Sequence, residues 1–245
     1  SFGSVKYLGF GGTYDGNGFS IEYSLISSSG DDAALFGVIE EKGVIQNLKV
    51  SAQIEYNDAR VVSGLAAENN GTIQNVTITN FTVTNTSFSN SSLSSLSVAG
   101  VVGTNKGVIK NVINSASEVS FEVMANNLTV YAGGIAAQNE KTGTISQCGN
   151  NMNITVTART EARVGGVVAQ NNGKIIECYN NSQISAVSVV STSNTYASGI
   201  VGYNDTDGTI EYAYVKGAVV AQSAAANVFA GGVVGYTKNA QISFA

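Results

Sequence analysis

Seven isoleucines constrain this chain more than any other feature. Six stand two residues after a glycine: Ile45, Ile73, Ile109, Ile145, Ile175 and Ile210 follow Gly43, Gly71, Gly107, Gly143, Gly173 and Gly208. Ile242 follows Ala240 in the seventh copy. A leading glycine precedes each pair, at 37, 64, 100, 134, 166, 199 and 232, with intervals of 27 to 36 residues, most of them close to 33. The residue after it is aliphatic in every copy, and the residue before it is small in all but the first, where it is Phe36. Self-similarity at such a period marks a stacked repeat, in which no unit can bury its apolar face alone. An isoleucine that never varies between copies belongs to the core.

Helical repeats share this period, but two facts exclude them. The segments are rich in Gly and β-branched residues, which disfavour helix. Their apolar residues alternate or come in short bursts, as in ITVTA (154–158), instead of recurring at i, i+3 and i+4. Short strands broken by Gly and Asn turns fit instead. The expected fold is all-β: a right-handed parallel β-helix of about seven coils of roughly 33 residues, one repeat per coil. Each coil should hold about three strands, through GGVV, through GTIxNV and in the variable segment beyond. Residues 1–245 form a single domain in this reading, with an opening coil at 1–33 and seven repeats over 34–245, the last incomplete. Such a chain is either an excerpt of a longer protein or a subunit that stacks end to end.

Composition narrows the chemistry. There is no His, which removes Ser–His and Cys–His catalysis and the commonest metal ligand. Twelve Lys and Arg are dispersed in a chain of net charge −5, so a basic footprint for nucleic acid is lacking. No apolar run is long enough for a membrane span. The carboxylates Glu55, Asp58, Glu118, Glu122, Glu161, Asp205 and Asp207 are scattered. Glu41 and Glu68, each four residues past a leading glycine, are expected to stack at a solvated edge beside Lys42. NDTDGT (204–209) and DGNG (15–18) lack the full ligand spacing of a calcium loop and read as turns. No catalytic residue, cofactor or metal is expected.

The remaining candidates are structural. Asn69, Asn105, Asn139, Asn171 and Asn204 each lie five residues past a leading glycine and should stack at a turn. Cys148 and Cys178 lie three residues past the shared Ile, in core positions of neighbouring coils, and read as buried thiols. Tyr203 and Tyr236 should stack at one turn, as an aromatic ladder or a small sugar-binding step. In NVTITNFTVTNTSFSN (75–90), alternation holds for Val76-x-Ile78 and changes phase at Asn80, which suggests strand, corner, strand. Sequons at Asn80, Asn85, Asn90, Asn127 and Asn153 are candidate glycosylation sites if a eukaryote secretes the chain.

The copies resemble the GLUG motif, roughly Gly-Leu/Val-hydrophobic-Gly followed by Gly-x-Ile-x-Asn-Cys. Gly100-Val-Val-Gly103 with Gly107-Val-Ile-Lys-Asn111 carries the likeness, as do Gly199-Ile-Val-Gly202 and Gly173-Lys-Ile-Ile-Glu-Cys178. Gln147, Glu177 and Tyr212 depart from it at the motif's Asn position. The resemblance implies large secreted or cell-surface microbial proteins and no catalytic residues. The expected function is therefore a non-enzymatic, extracellular solenoid used in adhesion or as a rigid spacer. Its partner would be a host or cell-surface protein or glycan, with neither nucleic acid nor membrane insertion. Filament formation through bare coil ends, and polysaccharide processing by outer-face acids, are the alternatives.

Overall fold

A computed structural model describes residues 9–27, 32–87, 93–190, 193–224 and 226–243. Among these residues there is no helix; parallel strands stack as a β-solenoid of about seven turns with a repeat near 33 residues. Four sheets run along it. Sheet I has six strands, from Val61–Ser63 to Val228–Gly231. Sheet II has seven, from Phe36–Ile39 to Val234–Thr237. Sheet III has twelve, and sheet IV has four, from Glu118–Val123 to Val219–Ser223. One coil illustrates the path. Thr129–Gly133 lies in sheet I, Ala136–Asn139 in sheet II, Thr144–Ser146 and Gly149–Asn150 in sheet III, and Asn153–Ala158 in sheet IV.

That coil has five strand segments where the sequence suggests about three. Both extra breaks have a physical cause. The expected GGVV strand is cut by a tight bend at the leading glycine, between sheets I and II. The expected GTIxNV strand is kinked one residue before its end. There Asn47, Asn75, Asn111, Gln147, Glu177 and Tyr212 all adopt left-handed backbone, with φ of 53–55°. Asn tolerates this conformation, whereas other side chains cost of order 1 kcal/mol. Tyr212 is also 55% exposed and lies outside the core. Replacing Tyr212 with Asn should raise stability by about 1 kcal/mol, read as a higher urea midpoint at unchanged slope. An equal or lower midpoint would show that the backbone there carries no strain.

The shared isoleucines pair coil to coil without a break from Ile45 to Ile242. Six are fully buried; Ile242 is 42% exposed on the last coil described. Tyr14 pairs with Ile45 and continues the row into the opening coil.

The bend explains the glycines. A Cβ on Gly64, Gly100, Gly134, Gly166 or Gly199 would overlap the carbonyl oxygen of the equivalent glycine in the next coil. The close approach is between backbones, and none of these glycines has positive φ. The residue before each is small because it lies on the inside of the fold: the Ser63 hydroxyl donates to the Ala66 carbonyl at 2.6 Å, and a Cβ on Gly133 would strike the Ala136 carbonyl.

The first copy is out of step with this frame. Phe36 pairs with Ala66 and Val38 with Glu68, so Gly37 stands opposite Ala67 and is not a bend glycine. Its spacing to the shared Ile gives the signal: eight residues from Gly37 to Ile45, against nine to eleven in the other copies. Glu41 accordingly lies in the turn before Gly43 and does not stack on Glu68, which sits between Val38 and Thr104.

The phase change in 75–90 is a bulge. Val50 pairs with Ile78 but Ser51 pairs with Asn80, leaving Thr79 as the extra residue, its hydroxyl on the Val50 carbonyl at 3.0 Å. The side chains of Val76, Ile78, Phe81 and Val83 are buried, and Thr79, Thr82 and Thr84 face out. Phe88 and Asn90 lie outside the described residues.

Candidate functional site

The bend at the leading glycines folds the outer faces of sheets I and II toward each other. A cleft results, running along the solenoid with the bend at its apex. Its first wall is one row of sheet I, three residues before each leading glycine: Val61, Ser97, Tyr131, Arg163, Tyr196 and Phe229, paired in register. Its second wall is one row of sheet II, four residues after the glycine: Glu68, Thr104, Gln138, Gln170, Tyr203 and Tyr236.

The two walls meet in the later coils. Tyr196 stacks on Phe229 (centroids 4.9 Å apart, 5° between planes) and Tyr203 on Tyr236 (5.1 Å, 28°). Across the cleft, Tyr196 meets Tyr203 edge-on at 5.4 Å, and Phe229 meets Tyr236 at 5.1 Å. Arg163 lies 4.2 Å from the Tyr203 ring centre and 5.5 Å from those of Tyr131 and Tyr196. Its guanidinium donates to Glu161 at 2.7 Å and to the Gln170 carbonyl oxygen at 2.5 Å. The arginine side chain is only 17% exposed and that of Glu161 25%. Asn194 donates to the Tyr196 hydroxyl at 3.1 Å. Burial raises the pKa of both Tyr131 and Tyr196, so their hydroxyls stay protonated donors.

Of these residues, sequence reasoning singled out Tyr203 and Tyr236 as a ring pair, Glu68 as an edge acid stacked on Glu41, and Glu161 only as a scattered acid. Tyr131, Arg163, Tyr196 and Phe229 went unseen. The signal available was their constant offset of −3 from the bend glycine, mirrored by +4 on the other wall.

Inside the solenoid lie asparagine rows. Asn69, Asn105, Asn139, Asn171 and Asn204 form an unbroken buried ladder, each Nδ2 donating to the next Oδ1 at 2.8 Å. It caps the corner between sheets II and III; the Gly71 and Gly173 amides donate to Asn69 and Asn171. A second buried row, Asn114, Asn150 and Asn180, was not anticipated. It supports the apex from within: Asn114 donates to the Gly134 carbonyl at 2.8 Å and Asn150 to Asn180 at 2.8 Å. Two coils earlier the Tyr23 hydroxyl takes this role, donating to the Gly64 carbonyl at 2.9 Å.

The other candidates fall elsewhere. Asp15 bonds the Asn17 amide and the side chains of Gln46 and Asn47, bonds that hold its pKa low. Asp207 pairs with Lys141 at 3.0 Å. Among the described residues, no three His, Cys, Asp or Glu converge as a metal-ligand set. Asn127 and Asn153 are exposed, Asn80 and Asn85 half-buried.

Cys148 and Cys178 are free, buried and in neighbouring coils. Their thiols face the carbonyls of Ser146 and Ile176 at 3.1 and 3.3 Å. Burial, then the nearby Cys178, pushes the Cys148 thiol well above its ordinary value. Burial also holds Tyr23 and Tyr56 above the ordinary tyrosine range. These groups are raised in the fold, so their contribution is complete below their unfolded values, 9.0 for Cys and 10.0 for Tyr. Above these values it is lost by up to about 1.4 kcal/mol per pH unit for each group. Urea midpoints should hold level from pH 7 to about 9 and then fall steeply toward 11; a level line to pH 11 would contradict this. The same burial should keep both thiols unreactive to a thiol-exchange reagent until the chain unfolds.

Comparison of the chain with family models, with curated proteins and with solved structures gave no match in any of the three.

Proposed function

We propose that this chain is a non-enzymatic, extracellular solenoid that acts in adhesion, with the cleft between sheets I and II as its ligand-holding surface. One observation carries the reading. Two outward rows that could have been solvated separately instead converge, and bring Tyr131, Arg163, Tyr196 and Tyr203 together with side-chain amides in a half-buried recess. Rings with polar edges beside amides form a surface that binds through area and hydrogen bonds together. The regular coil supplies a stiff mount for it. The resemblance of the repeats to GLUG motifs points the same way. No helix among the described residues is long and apolar enough to cross a membrane.

The test is a screen of the chain against immobilised glycans and extracellular host proteins, run beside a Tyr203→Ala variant. The expected result is a ligand whose binding falls at least tenfold in the variant while its melting midpoint stays within a few degrees. Binding indifferent to Tyr203, or cleavage of the bound glycan, would overturn the reading.

A further inference from the structure

We infer that the cleft takes an uncharged, polyhydroxylated chain, a neutral glycan laid along the solenoid axis; this rests on the adhesive reading above. The first argument is charge. Three cation–anion pairs stand on or beside the cleft walls, and each is closed on itself: Arg60 with Asp32 at 2.9 Å, Arg163 with Glu161 at 2.7 Å, and Lys106 with Glu68 at 2.9 Å. The Arg163 guanidinium is also committed to Gln170 and lies over a ring. Among the described residues, no cation of these walls is left over to receive a carboxylate or sulfate. An acidic polymer would instead meet the carboxylates of these pairs on a chain of net charge −5, and like charges brought together at low dielectric repel.

The second argument is the match of donors and acceptors. Gln138, Gln170 and the tyrosine hydroxyls each both donate and accept, as sugar hydroxyls do. The ring faces are taken up by one another and by Arg163, so a sugar would meet the cleft through ring edges, hydroxyls and amides. The third argument is direction. From Tyr131 to Phe229 the wall crosses three coil steps, about 14 Å at ~4.8 Å each, so a linear oligomer has repeated contacts along it. A peptide strand would need a free row of backbone donors and acceptors. The walls of this cleft are side chains, and their backbone groups are already committed to the sheets.

The experiment is affinity electrophoresis of the intact chain through gels containing neutral polysaccharides (a β-glucan, a mannan, a glycol chitin) or acidic ones (polygalacturonate, heparin). Tyr203→Ala and the milder Gln138→Ala run alongside, and circular dichroism of each variant controls for folding. The expected result is retardation by at least one neutral polymer and by neither acidic one. Retardation should be reduced at least fivefold in both variants. Retardation by an acidic polymer, abolished by the same variants, would overturn the neutral specificity and leave the adhesive cleft standing. Capture of a host protein through the same residues would overturn the glycan assignment alone. No cleft-dependent binding to any glycan or protein would overturn both.

Discussion

Replacing Gly166 with alanine should destabilise the solenoid by about 3–5 kcal/mol, enough to unfold a domain of ordinary stability at 37 °C. The added methyl has nowhere to go. It would overlap the Gly199 carbonyl oxygen of the next coil and, on its inner side, the amide group of Asn180. Neither is the tip of a flexible side chain: one is backbone held in a sheet, the other is a fully buried amide bonded to Asn150 and Ser182. Relief requires opening the coil-to-coil spacing, which breaks hydrogen bonds on both sides. Gly12→Ala is the matched control, since its Cβ would meet only the Phe10 ring at 3.6 Å and no positive φ is involved. Its unfolding free energy from urea titration should stay within about 0.5 kcal/mol of wild type. Equal effects at the two sites would mean that general glycine propensity, and not the apex contact, governs the repeat.

Converting Asn139 to aspartate should cost about 3–5 kcal/mol at neutral pH while changing the side-chain shape hardly at all. Asn139 is the middle of the buried ladder. It accepts from Asn105 and donates to Asn171, both at 2.8 Å. Aspartate keeps the acceptor but sets an oxygen against the Asn171 oxygen, and buries a charge at a position 1% exposed whose bonded partners are neutral amides and backbone carbonyls. Burial would raise the new carboxyl's folded pKa above its unfolded value of about 4. The sign follows: the deficit should be smallest below pH 4 and grow as pH rises from there. Chemical unfolding at pH 3.5 and 7 separates the causes. A pH-independent loss would assign the effect to the lost donor alone, and no loss would mean that the ladder adds nothing to stability.

What the sequence made legible was what each coil repeats unchanged. The isoleucine row and the row from Asn69 to Asn204 are spelled with one letter over five or more coils; the row Asn114, Asn150 and Asn180 also keeps one letter, but over three coils only, and was missed. The thiols were legible because Cys148 and Cys178 replace aliphatic residues at one offset. Rows that vary were not legible. Tyr131, Arg163, Tyr196 and Phe229 share a row but not one letter, and its earlier members are Val61 and Ser97, because an outward row is held by its neighbours across the cleft and not by the core. The kink at Asn47 and its equivalents was hidden because no glycine marks it. The first coil was read out of step because Gly37 matches the bend glycine in letter but not in distance to its isoleucine.

The buried asparagine ladder has a further property, an electrical one. Every bond in it points the same way, Asn69 to Asn105 to Asn139 to Asn171 to Asn204. Five amide dipoles are therefore lined up head to tail inside the protein, each polarising the next, as peptide units are along a helix. The exposed row runs opposite, with Asn111 donating back to Asn75 and Asn75 back to Asn47. Along its axis the solenoid is thus a polarised rod with a partial return path on its surface. The inner run ends toward the later coils on the Asn204 amide hydrogens, which meet the Gly208 carbonyl at 3.1 Å.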